Sequence, residues 1–378
     1  MTLSTLGPGT LIVDGEQIYG QDETCSDIMG FILGGVTVPS VALDLEAGKP
    51  YKIQIKTCPP DGTGEDMTIM EGMNGFRLGC MAASKHDKDI LTEAVKLAEA
   101  ADYAVVFTGH DPAWETECQD QHSFELPKNG SQDRLVSAVA ASNPNTIVVN
   151  STGVAVAMPW LSEIQGLVQT WFPGQEAGNA IADILTGTQN PEGRLTCSFP
   201  KQIEDCAAHG NFPGEYTGRQ LHVEYAEGVF VGYRHFDRLT PDKVNFPFGF
   251  GLSYTTFDFN NLAVQESGTS VDEFNVSISV SNTGNVKGAT PVQVYVGNEK
   301  ESNENPIKVL AGFQKVSLDV GESKDVSVPV HVRDIASWNE KDHQWVVEEG
   351  SYRFSIGKSA ADLLASKTVK VAARTFAP

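Results

Sequence analysis

The sequence has no apolar run long enough to cross a bilayer and no Cys-x-x-Cys pair. A spanning helix needs about 20 consecutive apolar residues, so no transmembrane segment is expected. Without paired cysteines, zinc-ribbon and dithiol redox chemistry lack their spacing. The chain is also poor in basic residues, with 27 Lys and Arg against 49 Asp and Glu and a formal net charge of −22. Such a surface repels phosphate backbones and anionic lipid, so no nucleic-acid or membrane partner is expected. Gly-x-Ser-x-Gly, the P-loop and Gly-x-Gly-x-x-Gly are missing, which argues against serine hydrolases and nucleotide enzymes. His209, His222, His235 and His343 are scattered without metal-ligand spacing, so no metal and no cofactor is expected. Met1 to Ile12 has no basic start and no uninterrupted apolar stretch. It does not read as a secretory signal, which implies an intracellular location, or a secreted one if the chain is a fragment of a longer enzyme. The six cysteines, Cys25, Cys58, Cys80, Cys118, Cys197 and Cys206, permit disulfides without demanding them.

What is present is enough for two or three domains: 378 residues, 40% of them hydrophobic. Residues 1–75 read as β-structure. Thr10 to Val13 is an apolar run closed by Asp14-Gly15, a hairpin signal; Val36 to Leu45 and Tyr51 to Lys56 alternate with period two. From residue 76 the pattern changes. Asp87 to Ala101 is an amphipathic helix, Tyr103 to Phe107 a buried strand ending at Gly109, and Gln132 to Ala141 a helix. Thr146 to Asn150 and Gly166 to Trp171 are strands, and Ala177 to Leu185 is a helix ended by Gly187. Strands alternating with helices imply a parallel sheet covered on both faces, with ligands beyond the carboxyl ends of its strands. Loops 109–129, 151–160 and 172–179 fall there. Residues 200–250 read as a long ordered connector. From Leu252 the short strands 275–281, 291–297, 324–332 and 351–356 imply a sandwich.

The most informative segment is the first of these loops, which gathers His110, Trp114, Glu115, Glu117, Asp120 and His122. A carboxylic acid beside an indole face is partly desolvated, which favours the protonated form a general acid needs. A solvated acidic loop with its Trp packed on the sheet would use the same residues. Glu176, in Phe172-Pro-Gly-Gln-Glu-Ala-Gly-Asn, either caps the following helix or faces a ligand. Asn129, Asn150 and Asn275 begin glycosylation triplets, a pattern common by chance.

Several segments resemble the C-terminal half of glycoside hydrolase family 3, the fungal β-glucosidases in particular. They are Ala104-Val-Val-Phe-Thr-Gly, Trp114-Glu-Thr-Glu117, Phe124-Glu-Leu-Pro, Asn143-Pro-Asn-Thr-Ile-Val-Val-Asn150, Met158-Pro-Trp160, Asn190-Pro-Glu-Gly-Arg-Leu, Ser198-Phe-Pro-Lys, Glu227-Gly-Val-Phe-Val-Gly-Tyr-Arg234 and Phe246-Pro-Phe-Gly-Phe-Gly-Leu-Ser-Tyr-Thr-Thr-Phe257. They occur in family order. The resemblance implies a multidomain α/β plus β chain: an α/β sandwich with a mainly parallel sheet at 76–210, a connector at 211–250 and a fibronectin type III-like β-sandwich at 251–378. Residues 1–75, with Gly7-Pro-Gly-Thr-Leu-Ile-Val-Asp-Gly15 and Leu45-Glu-Ala-Gly-Lys-Pro-Tyr51, resemble the second half of the protective-antigen-like β-module inserted in many of these enzymes.

In the family the acid/base is the Glu of a Trp-Glu-Ser-Glu-Gly-x-Asp-Arg-like loop, which aligns with Glu117. Cys118 stands where the family has Gly, and Gln121 where it has Arg. A retaining glycosidase also needs a second carboxylate about 5 Å away as nucleophile. The family carries it on a barrel that precedes the segments found here. Three functions follow as expectations. One is general acid/base chemistry (isomerisation, dehydration or cyclisation) on a small metabolite, with Glu117, Glu115, Asp120 or His110 catalytic and Trp114, His122 and Glu176 binding the substrate. A second is β-glucosidase action, or part of it, on a glycoside. A third is non-catalytic carbohydrate or protein binding. A cut β-module exposes strand edges, which favours a homodimer.

Overall fold

The computed structural model describes all residues except 26–30, 32–37, 61–71, 87, 113, 116–119, 122, 269, 301 and 303. Two compact units emerge, one formed by residues 1–154 and 158–172, the other by residues 155–157 and 173–378.

The first unit opens with β1 (Thr2–Thr5), β2 (Gly9–Val13) and β3 (Glu16–Gln21). β2 and β3 form the hairpin that Asp14-Gly15 signalled. Both turn residues have positive φ, 48° and 91°, the geometry in which a two-residue turn follows the right-handed twist of its strands. β4 (Ile53–Thr57) pairs with the other edge of β2, and β5 (Phe76–Gly79) pairs back onto β1. The alternation of residues 36–45 does not become a strand. Residues 36 and 37 lie outside the described residues, and 38–45 make only an isolated bridge, Thr2 to Ser40.

The chain then turns to helices and parallel strands. Helix α1 (Ile90–Glu99) starts at Asp89, whose carboxylate accepts from the Thr92 amide at 3.1 Å and its hydroxyl at 2.6 Å. These bonds hold the Asp89 carboxyl below its ordinary pKa. β6 (Ala104–Gly109), β7 (Thr146–Ser151) and β8 (Gly166–Gln169) form a parallel sheet in that order. Between β6 and β7 runs α2 (Ser131–Ser142), which packs on α1. The sheet is not covered on both faces throughout. Along β6, Ala104, Val106 and Thr108 are buried, whereas Val105 and Phe107 on the opposite face are exposed, Phe107 by 62%. β6 is an edge strand of the described sheet.

The second unit holds α3 (Ala177–Thr186), ended by Gly187 with φ 75°, and then the connector. Its sandwich has a three-stranded sheet and a four-stranded one. β9 (Phe257–Glu266), β10 (Glu273–Asn282) and β13 (Ser323–His331) form the first; β12 (Val309–Leu318), β11 (Gly288–Asn298), β14 (Gly350–Gly357) and β15 (Leu363–Val371) the second. Phe274, Val276, Ile278 and Val280 alternate inward along β10, and the first three pair in register with Val330, Val328 and Val326 of β13. β11 is buried on both faces. Its Gln293 amide donates to the carbonyls of Gly249 (3.1 Å) and Lys358 (2.8 Å), and Tyr295 donates to Gln293 at 2.7 Å. The connector covers that outer face with Tyr233, which stacks on Phe248 and meets the Tyr295 ring edge-on. Burial pushes the Tyr295 phenol well above its usual pKa.

An ion pair fixes the connector to the sandwich. Asp237 and Lys308 meet at 2.5 Å with side chains only 10% and 12% exposed, and the second Asp237 oxygen is buried without a partner among the described residues. Burial raises the Asp237 pKa, and the Lys308 ammonium opposes that rise. Lys308→Met strands this carboxylate, which typically costs about 3–5 kcal/mol. Without the lysine the folded-state pKa moves further above the unfolded value. A carboxyl with a raised folded pKa contributes stability at low pH, and that contribution is lost as pH rises through the folded pKa. Denaturant unfolding at several pH values should therefore find the Lys308→Met deficit greatest near neutrality and smaller in acid, whereas Asp237→Leu/Lys308→Met recovers much of it at every pH.

Candidate active site at the carboxyl edge of the parallel sheet

The carboxyl ends of the three parallel strands are joined by side chains from within. Asn150 on β7 is fully buried. Its Oδ1 accepts from the Thr108 hydroxyl of β6 at 2.9 Å; its Nδ2 donates to Gln169 Oε1 of β8 at 2.7 Å and to Thr152 Oγ1 at 3.0 Å. Gln169 closes the ladder by donating to the Thr152 carbonyl at 2.9 Å. This asparagine belongs to a glycosylation triplet, but its amide is committed to the strand ends.

At the end of β6 the backbone approaches β7 so closely that a Cβ on Gly109 would sit 2.3 Å from the Ser151 carbonyl oxygen. Gln132 of α2 satisfies the peptide groups of Gly109 with one side chain, accepting from its N–H at 2.8 Å and donating to its C=O at 2.9 Å. Trp171, just beyond β8, has φ 55°, a strained conformation for a bulky residue.

The loop leaving β6 folds back over this edge. His110 donates its backbone N–H to the Ser151 carbonyl at 3.0 Å, and the backbone N–H groups of Trp114 and Glu115 both donate to the Asp111 carbonyl. One carboxylate oxygen, Oε1 of Glu115, then collects three partners. These are His110 Nδ1 at 2.5 Å, Gln121 Nε2 at 3.2 Å and the backbone N–H of Gly153 at 3.0 Å. The His110 side chain is fully buried and that of Glu115 is 16% exposed. His110 Nε2 has no hydrogen-bond partner among the described residues, and the Trp114 ring lies 6.3 Å away.

Of the expected site residues, the structure thus gathers His110, Trp114 and Glu115. At Glu115 the segment is not a solvated acidic loop. Asp120 is exposed. Glu117 and His122 lie outside the described residues. Glu176 stands at the N-cap of α3 in the second unit, yet its carboxylate reaches no backbone N–H of the helix and accepts instead from Asn179 at 2.6 Å. The capping position is thus occupied as expected, where the helix dipole favours a carboxylate, without a side-chain hydrogen bond to the helix backbone. Sequence reasoning missed Gly153, Gln132, Asn150 and Gln169, and it noted Gln121 only for the arginine it replaces. Their roles are long-range hydrogen bonds, and a glycine between Thr152 and Val154 carries no local signal. The described cysteines, Cys25, Cys58, Cys80, Cys197 and Cys206, are free thiols, and among the described residues no helix is long and apolar enough to cross a membrane.

A parallel α/β layer with an acidic loop at its carboxyl edge, followed by a fibronectin type III-like sandwich, is the C-terminal architecture of a class of glycoside hydrolases. The chain belongs to glycoside hydrolase family 3. The family's C-terminal domain profile matches residues 17–254, and a fibronectin type III-like profile matches residues 290–360. Beta-glucosidase B of Emericella nidulans is 51% identical over 383 residues, covering 100% of this chain and 45% of the relative. A beta-glucosidase of Kluyveromyces marxianus is 38% identical, covering 98% of the chain and 42% of the relative. The crystal structure of the Kluyveromyces marxianus enzyme in complex with glucose superposes with a TM-score of 0.80 at 34% identity, over 99% of this chain and 42% of that one. The Streptomyces venezuelae beta-glucosidase DesR, in complex with D-glucose, gives 0.73 at 35% identity over 98% and 44%. The chain therefore spans less than half the length of the relatives it matches.

The ladder at the strand ends predicts a stability effect. Asn150→Ala removes the acceptor of buried Thr108 and the donor to half-buried Gln169, and unsatisfied buried groups cost about 1–3 kcal/mol each. Thermal unfolding should show a loss of about 3 kcal/mol, whereas Asn275→Thr, at an exposed strand position, should leave stability within about 0.5 kcal/mol.

Proposed function

We propose that the chain supplies the acid/base half of a β-glucosidase active site, with Glu117 as the proton donor. The nucleophile would come from the family's barrel, in the part of the relatives that this chain does not span. The observation that carries this reading is the built loop at the sheet's carboxyl edge, in a chain 51% identical along its whole length to a beta-glucosidase. In retaining hydrolysis an acid protonates the departing glycosidic oxygen while a second carboxylate attacks the anomeric carbon. The acid then returns as base to activate water. Two residues beyond the anchored Glu115, Glu117 has the residue type and sequence position for the first role. The glycoside, whose glucose-type ring the matched complexes hold, is then the substrate, and no cofactor takes part.

A second reading, acid/base chemistry on a small metabolite, draws support from Cys118 and Gln121, which replace the Gly and Arg of the family loop. The two readings part experimentally. By itself the chain should not hydrolyse nitrophenyl β-glucoside. A chimaera in which it replaces the matched region of the Emericella nidulans enzyme should do so saturably, and Glu117→Gln should reduce its kcat by about 10²–10⁴-fold, the usual worth of general acid/base catalysis. A folded chimaera without hydrolysis, or one indifferent to Glu117→Gln, would refute the assignment.

A further inference from the structure

We infer that one end of the fibronectin type III-like sandwich carries a saccharide-binding site, in which Trp338 supplies a stacking face and Arg333, Asp334 and Asp272 supply hydrogen bonds. All of these residues lie in the second unit. The inference does not rest on the role given to Glu117.

Three observations carry it. First, three short strands, Ser337–Asn339, Gln344–Val347 and Arg374–Phe376, form a small antiparallel sheet. Trp338 pairs with Trp345 and Trp345 with Phe376, so three aromatic side chains stand in a row on one face. Phe376 roots the row on the sandwich core. Trp345 is half-buried. Trp338, at the far edge, meets the Trp345 ring at 5.4 Å and is 40% exposed. An indole held by its neighbours and open to solvent is a ready platform for the C–H face of a sugar ring. Secondly, the row runs into a cavity of about 330 Å³ lined by Ser270, Asp272, His331, Arg333, Asp334 and Phe376. Small-ligand pockets begin at about 300 Å³. The Arg333 guanidinium lies 6.0 Å from the centre of the Trp345 ring and so joins the cavity to the row. Thirdly, the cavity walls are held without a ligand. Val332 donates its backbone N–H to the Asp272 carbonyl at 2.9 Å, and Arg374 Nε donates to Asp272 Oδ1 at 2.9 Å. Walls fixed in advance lower the ordering cost of binding. The charges select the class of ligand. Carboxylates stand beside a guanidinium and an imidazole in the lining, so neither sign dominates, and the net charge of −22 repels anions. A neutral polyol uses both kinds of group, donating to Asp and accepting from Arg. A protein partner also anchors on Trp and Arg, but a concave site with opposed donors and acceptors fits a small neutral ligand better.

The test reads the site directly. The full chain, ¹⁵N-labelled at tryptophan, is titrated with cellobiose while its 5 indole N–H signals are followed by NMR. The signals lost in Trp338→Phe and in Trp345→Phe assign the two that matter. Both should shift saturably, with a dissociation constant of about 1 mM. Sorbitol, which has the hydroxyls without a ring, should move neither. Read at Trp345, Trp338→Ala and Arg333→Gln should each weaken cellobiose binding about tenfold, whereas Trp338→Phe, which keeps a ring, should weaken it less than about threefold. Arg333 is exposed, so its variant keeps the test decisive even where Trp338→Ala fails to fold. Trp114 and Trp171 belong to the first unit, so cellobiose held at the loop beyond β6 moves their signals and not these. Trp338 and Trp345 signals unmoved by cellobiose would overturn the inference and leave the aromatic row to a protein partner. Equal shifts with sorbitol, or an unchanged affinity in Arg333→Gln, would overturn it as well. None of these results bears on hydrolysis by the chimaera, so the two assignments stand or fall separately.

Discussion

Asn150 holds the carboxyl ends of three parallel strands together from inside the sheet, and the candidate site is built outward from that constraint. With Thr108 and Gln169 bound to one buried amide, β6, β7 and β8 end at a defined level. The loops that leave them start from fixed points. Gly109 can then approach Ser151 closely enough for His110 to turn back, and Gly153 can present its N–H to Glu115. A buried polar network of this kind is stabilising only when every member is satisfied. It lies at the carboxyl edge of the sheet, while the apolar interior is left to Val106, Val148 and Val149.

The sandwich follows a simpler logic. Its core is a valine-rich interface between two sheets, specified by alternation along β10, β11 and β13. What complicates it is the outer face of β11, which has Gln293 and Tyr295 where solvent-facing residues would be expected. These side chains are satisfied by the connector and by one another. Residues 233–249, with little regular structure, are thereby held on the sandwich, and the buried Asp237–Lys308 pair completes their attachment.

Much of this was legible in the sequence because it depends on local periodicity. The Asp14-Gly15 hairpin, the β6, β7 and β8 strands, helices α1 and α2 and the Gly187 helix stop all announce themselves within a dozen residues. The strands β9, β12 and β15 did not, since Phe257–Glu266 and Leu363–Val371 carry exposed and half-buried residues on both faces and so lack a clean alternation. The 36–45 segment shows the converse failure: alternation alone does not make a strand when no neighbouring strand supplies a ladder beyond a single bridge.

The sequence by itself determined the family, the order of its layers and the acidic loop, because motifs, turn residues and hydrophobic period are written along the chain. Only the tertiary structure decided how the loop's residues divide their tasks. Glu115 and Asp120 are both acidic residues of that loop, but one is enclosed by His110, Gln121 and Gly153 and the other is exposed. That difference arises from donors brought together across up to 38 residues of chain. Hydrogen-bond convergence over such separations is a property of the folded backbone, and no local pattern encodes it.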